Sequence, residues 1–381
     1  MGRKTLILTL PPITIGGVQA KTLILAKRLR DTGHNVTIAY HRLTHSKKIN
    51  KKVFGGFPTV EVDCTTPLLE QNFTADSPSW RRLIYDHNRH IAVGGTILIA
   101  HPLARAGVQH MVWCGADLEG DRKFRQAAMP WYRKWIDEQI VAPALERQQE
   151  KVIAASNRIY TVSHDAADRI LRLAPARRMD IEVMPIPVNT DFFIPSKRSV
   201  DSFKLGFAGR LDDPRKNAEL MFAMLAKLLG SGIAATLSIT GPPTSTLLSL
   251  ASHHGVDENV SFEGLLSYDD LRLFYQSLDV FVISSFQEGL AIAGLEAMSC
   301  GVPVVSTRCG GPIDYVQDGK TGQLCDFCPE DMAKAVQNVL TPINRPILSA
   351  GARQKVEKSF SINTFQTSLN RAWQATWGEP L

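Results

Sequence analysis

Two glutamates eight positions apart, Glu288 and Glu296, bracket the run EGLAIAGLE, and two cations, Arg210 and Lys216, follow Gly209 earlier in the chain. Ionised carboxylates accept hydrogen bonds from hydroxyls and repel phosphate, whereas guanidinium and ammonium groups attract it. If a helix rise of about 1.5 Å per residue held throughout, the glutamates would stand roughly 12 Å apart. That is about the span of a nucleoside diphosphate from an attached sugar to the ribose. A leaving diphosphate gains negative charge as its glycosidic bond breaks, and fixed cations in a dry site stabilise that charge. Taken alone, two glutamates at this spacing are common, and Arg210 and Lys216 fit surface charges equally well. Arg215 is an alternative to Lys216.

The elements around these residues form a repeating pattern. Asp279 to Ile283 reads as a buried strand, Ser284 to Gly289 as a loop, Leu290 to Cys300 as a helix capped at Gly301, and Val302 to Ser306 as the next strand. In a parallel sheet the loop after a strand lies at the carboxyl edge, where the amino end of the following helix favours an anion. Here that place is Glu288-Gly289-Leu290-Ala291. The strand Phe203 to Ala208 likewise feeds Gly209, Ala235 to Thr240 feeds Gly241, and Val260 to Gly264 ends on Glu263 and Gly264. Helical patterns at Ala218 to Leu229, Ser245 to His254 and Tyr268 to Ser277 separate the strands, which predicts a doubly wound sheet. Helices are expected at Met332 to Leu340, Ile347 to Ser359 and Ile362 to Trp377.

The first half opens similarly, with a strand at Thr5 to Leu10, a loop through Gly16-Gly17, a helix at Val18 to Asp31 and a strand at Asn35 to Tyr40. The glycine pair allows close backbone approach to a ligand, although a structural turn explains it as well. Further strands are expected at Thr59 to Val62, Gly95 to Ala100 and Gln109 to Trp113, with Trp80 to Ile91 and Pro102 to Gly107 as connectors. Arg122 to Lys151 carries Trp131, Tyr132, Arg133, Lys134 and Trp135 in a long helical pattern. We expect a connecting helix that packs its aromatics into the core; the other reading is an acceptor groove or a membrane-facing surface. Ile159 to Ser163 and His164 to Leu173 complete the half as strand and helix. Pro185, Pro187, Pro195 and the polar stretch Lys197 to Ser202 mark a boundary.

The chain has 381 residues, 44% of them hydrophobic, which suits two sizeable cores. The start MGRKTLILTLPP makes a better first strand than a signal peptide, and a cytoplasmic location is expected. Six scattered cysteines read as reduced thiols, and Cys325 and Cys328 form a lone CxxC without a second pair. Asn72-Phe73-Thr74 fits a glycosylation acceptor without meaning in that compartment. A formal charge of +6 suits phosphate-bearing ligands or peripheral contact with an anionic membrane. Nucleic acid is not expected, since neither a basic stripe with interleaved aromatics nor a binding motif is present.

Glu288-x7-Glu296, followed by AMSCGVPVVST and Gly310-Gly311, resembles the signature of the retaining GT-B glycosyltransferases of family four, the group 1 glycosyltransferases. The segments GGVQAKTLILAKRLRDTGHNVTIAY and IYTVSHDAADRI, and Gly209-Arg210-Leu211 with Lys216, resemble further family elements. The family's usual glycine and phenylalanine are replaced by Ala291 and Leu290, and its usual Asn-Gly at the domain crossing by Ile186-Pro187. The resemblance implies an α/β protein of GT-B fold, two doubly wound Rossmann-like domains facing a cleft. They would be residues 1–195, joined by the helix 362–381, and residues 196–361.

It also implies that Glu288 approaches a donor sugar, Gly289, Leu290 and Ala291 present the helix end to the diphosphate, and Glu296 binds the ribose. Arg210 and Lys216 would hold the diphosphate beside Gly209, Glu263 and Gly264 would meet the base, and Gly16 and Gly17 would face the phosphates. Transfer would retain configuration by front-face attack, with no metal or other cofactor. The partners would be a nucleotide sugar, most often UDP-linked in this family with GDP and ADP open, and an acceptor that is a glycan, glycolipid or small molecule. A first-domain histidine acts near the reacting carbon in many members. The matching strand HMVWCG carries Cys114 instead, and His101, closing TILIAH, is the better candidate, ahead of Asp117 and Glu119. A nucleotide-sugar epimerase of the same fold, or a non-catalytic nucleotide-sugar-binding protein, stands as the alternative.

Overall fold

A computed structural model describes residues 3–12, 16–41, 53–62, 78–115, 122, 126, 129–196 and 203–381. Cys64, Asn72-Phe73-Thr74, Asp117, Glu119 and the Lys197 to Ser202 connection lie outside the described residues. The chain divides into two units, Met1–Pro185 with Gln366–Leu381, and Ile186–Phe365.

The first unit is built on β1 (Lys4–Thr9), α1 (Gly17–Asp31), β2 (Asn35–His41), β3 (Val53–Phe54), β4 (Phe57–Val62), α2 (Pro78–Tyr85), β5 (Arg89–Gly94), α3 (His101–Ala106) and β6 (His110–Cys114). It continues through α4 (Trp131–Ile136), a π-helical turn at Asp137–Val141, α5 (Ala142–Ala155), β7 (Arg158–Thr161), α6 (His164–Leu173) and β8 (Ile181–Val183). The sheet order is β3-β4-β2-β1-β5-β6-β7-β8, parallel except for the β3–β4 hairpin. Strands buried on both faces read as continuous apolar runs, and β1, β5 and β6 do so.

Three expectations fail here, the first because Trp80 to Ile91 is not all connector: β5 already begins at Arg89. Gly95 to Ala100 is not a strand; β5 ends at Gly94, and Ile97–Ala100 wind into a 3-10 turn that leads into α3. All four residues of the turn are buried, and a short apolar run is buried equally well as strand or helical turn, so its pattern alone does not distinguish them. His101 therefore begins a helix instead of closing a strand. The aromatics of the long helical segment are not packed into the core either: α4 has no buried residue.

The second unit contains β9 (Phe203–Phe207), α7 (Ala218–Gly230), β10 (Ala235–Ile239), α8 (Ser245–His253), β11 (Val260–Phe262), α9 (Tyr268–Gln276) and β12 (Val280–Ile283). Then come α10 (Ile292–Ser299), β13 (Val304–Thr307), β14 (Gly322–Cys325), α11 (Pro329–Leu340), α12 (Asn344–Ser359) and the last helix, α13 (Ile362–Trp377), which from Gln366 onward belongs to the first unit. All strands are parallel in the order β11-β10-β9-β12-β13-β14. The core lies between the sheet and helices such as α7, where Met221, Phe222, Met224, Leu225 and Leu228 are fully buried. Each such side chain contributes about 1.5–3 kcal/mol relative to exposure.

The order matters more than the count. From β9 the chain proceeds outward through β10 and β11, then returns to β12 on the other side and proceeds through β13 and β14. The loops after β9 and β12 thus diverge in opposite directions above neighbouring strands, the crevice where open α/β sheets bind ligands. The amino edge of the same strands is locked by Asp279, which accepts from the Lys204 amide (2.8 Å) and pairs with Arg345 of α12 (2.6 Å). The proline-rich passage is held to this unit as well: Arg353 donates to the carbonyls of Phe193 (2.6 Å) and Thr190 (3.0 Å).

Candidate active site

The carboxyl-edge loops of the second unit bring together Lys216 and Glu288, which are 72 residues apart in sequence. After β9 the chain passes Gly209 and Arg210 and forms a 3-10 turn at Pro214–Lys216. Asn217 then adopts a left-handed conformation (φ 52°) and caps α7 through Oδ1 on the Leu220 amide. Asparagine tolerates that conformation better than most residues, and the reversal presents the Lys216 side chain at the sheet edge. Its Nζ donates to Glu288 Oε1 at 2.6 Å, and Ser285 Oγ donates to the same oxygen at 2.6 Å. Ser284 Oγ donates to the Lys216 carbonyl at 2.7 Å, so the loops are joined at backbone and side chain. The ion pair is mostly shielded, with side-chain exposures of 19% for Lys216 and 11% for Glu288.

The neighbouring cations are arranged differently. Arg215 is committed to Asp213, with Nη2 2.7 Å from Oδ2 and Nε 3.1 Å from Oδ1. Burial opposes the charge on Asp213, but these hydrogen bonds hold its pKa below the usual value. Arg210 is 76% exposed, with one 3.5 Å contact to Asp213, so its guanidinium stands in solvent at the same edge.

Glu288 is also fixed through its backbone. Its amide donates to the Cys309 carbonyl (2.7 Å), and the Gly311 amide donates to the Glu288 carbonyl (3.0 Å). Gly310-Gly311 consequently runs against Gly289-Leu290. A Cβ at Gly311 would lie 2.3 Å from the Gly289 carbonyl oxygen, so no larger residue fits without moving the loop.

The helix beyond begins two residues later than its apolar pattern predicts, because Ala291 takes a left-handed conformation (φ 57°, ψ 66°) before α10. The Tyr315 hydroxyl donates to the Ala291 carbonyl at 3.1 Å and holds it there. An L-residue in this region costs about 1–2 kcal/mol, and glycine returns part of that through unfolded-state entropy. Ala291→Gly should stabilise the protein by about 0.5–1 kcal/mol, read as a raised urea midpoint with unchanged slope; a lowered midpoint would contradict the strain.

Glu296 lies on α10, half-buried, and accepts a 2.7 Å hydrogen bond from the buried Tyr275 hydroxyl of α9. Burial raises its pKa from 4.5 to about 7, against the opposing pull of that hydrogen bond. Burial and the charge of Glu296 push Tyr268 and Cys300 each to about 12. Tyr275 carries no sequence signal beyond being an aromatic at a helix position that faces the core. Glu263 is turned to its own surroundings, accepting from Ser261 (3.0 Å) and lying 3.8 Å from Lys204, while Gly264 bridges to Gly241.

In the first unit Gly16 and Gly17 stand at the start of α1, where β1 and β5 form the corresponding switch point. Sequence reading missed Lys21 of α1, which is fully buried and donates to the carbonyls of Gly94 (2.8 Å) and Trp113 (3.0 Å). It ties the ends of β5 and β6, and burial lowers its pKa to about 7. Cys114 is fully buried, its thiol against the Tyr160 carbonyl and raised to about 11 by burial. His101 is half-buried beside a cavity of about 270 Å³ lined by Trp80, Ile84, Tyr85, Pro102 and Arg105. Among the described cysteines, Cys114, Cys300, Cys309 and Cys325 are buried free thiols, and Cys328 is half-buried.

Residues 202–342 match the family model of glycosyl transferases group 1. The second unit carries a group 1 glycosyltransferase domain. This domain holds Lys216, Glu288, Glu296 and the loops that position them. The D-inositol 3-phosphate glycosyltransferase of Geodermatophilus obscurus is 30% identical over 248 residues, covering 60% of this chain and 54% of the relative. That of Acidothermus cellulolyticus is 32% identical over 222 residues, covering 53% and 49%. The chain thus spans about half the length of the curated relatives it matches. Sucrose-phosphate synthase from Thermosynechococcus elongatus superposes with TM-score 0.79 at 16% identity, covering 99% of this chain and all of the other. Anabaena HepE, solved with UDP and glucose, gives 0.76 at 15%, covering 98% and 100%. The group 1 domain and the first unit together have the GT-B fold.

Proposed function

We propose that the protein is a retaining glycosyltransferase that moves a sugar from a nucleotide sugar, most simply a UDP-sugar, to an acceptor hydroxyl. The observation that carries this reading is the Lys216–Glu288 pair, held by the diverging loops of the group 1 domain. Arg210 and Lys216 offer positive charge to a diphosphate, and the amides beyond Gly289 add the helix end. Glu288 then reaches the sugar hydroxyls, and Glu296 takes the ribose hydroxyls. Gly264 and Glu263 lie on the β11 loop at the same edge, where the base would rest. Attack from the front face lets the departing phosphate take the acceptor proton, so the protein supplies position and charge. The UDP and UDP-glucose bound to HepE support a uridine donor. In the first unit Gly16 and Gly17 would face the donor phosphates and His101 the reacting carbon, and the same unit would take the acceptor, a glycan, glycolipid or small molecule handled in the cytoplasm.

Thermal melting with UDP, GDP and ADP tests the donor site. A ligand at about 100 times its Kd adds roughly 2.7 kcal/mol of stability. UDP is expected to raise Tm most, and UDP-sugars to be hydrolysed slowly without acceptor. If no nucleotide shifts Tm, the donor-site reading fails.

A further inference from the structure

The first unit displays an apolar surface that the site described above does not use. Trp131 is 82% exposed, Tyr132 50%, Trp135 58%, Ile136 43% and Ile140 59%. On a helix, residues four apart are neighbours, so Trp131 and Trp135 form one row and Tyr132, Ile136 and Ile140 the row beside it. The five side chains make one continuous face on α4 and the π-helical turn. Asp137 is the single buried residue between 131 and 140, paired with the buried Arg122 and accepting from Gln126. That buried anchor fixes which face the helix turns outward. A contiguous apolar patch of this kind marks a surface that is covered in use.

Charge and residue type identify the cover. The first unit contains 28 Lys and Arg against 18 Asp and Glu, a formal +10, whereas the second carries −4. Arg133 and Lys134 lie between these apolar residues in sequence, beside the face, and are themselves exposed; Lys134 has Glu138 4.0 Å away. Tryptophan and tyrosine favour the boundary between water and acyl chains, where an amphipathic helix lies flat and basic residues meet anionic headgroups. Among the described residues no helix is long and apolar enough to cross a membrane, so contact would be from one side. We propose that the α4 face, Trp131 to Ile140, docks the first unit onto an anionic phospholipid surface. The docking deepens the acceptor assignment by placing that unit where lipid-borne hydroxyls are presented, and it can be measured without any glycosyl transfer.

The test is co-sedimentation of the whole protein with phosphatidylglycerol/phosphatidylcholine vesicles and with pure phosphatidylcholine vesicles. The protein should pellet with the anionic vesicles, be released by high salt, and show blue-shifted tryptophan emission when bound. Trp131→Ser with Trp135→Ser should weaken binding at least tenfold while leaving the melting temperature within a few degrees. Ile343→Ser, at an equally exposed apolar residue of the second unit, should change nothing. Wild-type-like binding by the double variant overturns the proposal, as does absence of binding to either vesicle. So does light scattering that shows a dimer dissociated by the double substitution, which would make a second copy the cover.

Discussion

Lys216→Ala is expected to lower turnover on a saturating sugar nucleotide by about 10²–10³-fold, the usual cost of removing one preorganised group that stabilises a developing negative charge. The effect should fall mainly on kcat, because charge on the diphosphate rises as the glycosidic bond breaks. Nucleotide affinity should weaken less, since in the proposed site Arg210 and the helix end would still face the phosphates. Arg215→Ala should cost at most about tenfold, because that guanidinium is held by Asp213 through two nitrogens, whereas the Lys216 ammonium gives one of its three donors to Glu288. Steady-state kinetics of the two variants separates them. A Lys216 variant within threefold of wild type would remove the ion pair from the proposed chemistry.

Glu296→Gln should make the protein more stable and bind nucleotide less well. Between pH 4.5 and about 7 the folded chain keeps a proton on Glu296 that the unfolded chain has lost. The folded state binds more protons there, so stability falls as pH rises through that window, and the penalty is complete above about 7. At 1.36 kcal/mol per pKa unit it amounts to ~3 kcal/mol. Glutamine keeps the shape, can accept from Tyr275 and carries no charge. Urea unfolding should therefore show the variant about 1–3 kcal/mol more stable at pH 8 and equal to wild type near pH 4. In the proposed site ribose hydroxyls would donate to the carboxylate, so wild-type nucleotide affinity should rise as pH passes 7, and the variant should be weaker and flat. Equal affinity for both proteins at pH 8 would sink the ribose assignment.

Much of this arrangement was legible in the residue pattern. The strands β9, β10 and β12 and the helices α7 to α10 announce themselves by apolar period; the caps Asn217, Thr244 and Ser267, whose side chains accept helix amides at the starts of α7 to α9, came only with the structure. Glu288 and Lys216 were readable as site candidates, but their pairing was not, because it depends on which strands neighbour each other. The late start of α10 was hidden by Ala291, a residue with no preference for the conformation it takes. Ile97–Ala100 misled because four buried apolar residues carry no period. The exposed face of α4 was misread for a related reason: amphipathicity shows that a helix has an apolar side, and only packing shows whether the protein covers it. Lys21 and Tyr275 were invisible, since a buried lysine and a tyrosine acting on a distant carboxylate leave no mark in local sequence.

The backbone junction between Gly289 and Gly311 has a consequence for how new specificity could arise in this protein. Two segments meeting without side chains at Gly311 form a surface that substitution there cannot reshape gradually, because the first added carbon already collides. Phe286 sits earlier on the same loop and is 43% exposed, so its side chain can change in size while the backbone stays in place. Under the proposed function, a laboratory selection for transfer of a different sugar would therefore collect its changes at Phe286 and leave Gly311 untouched.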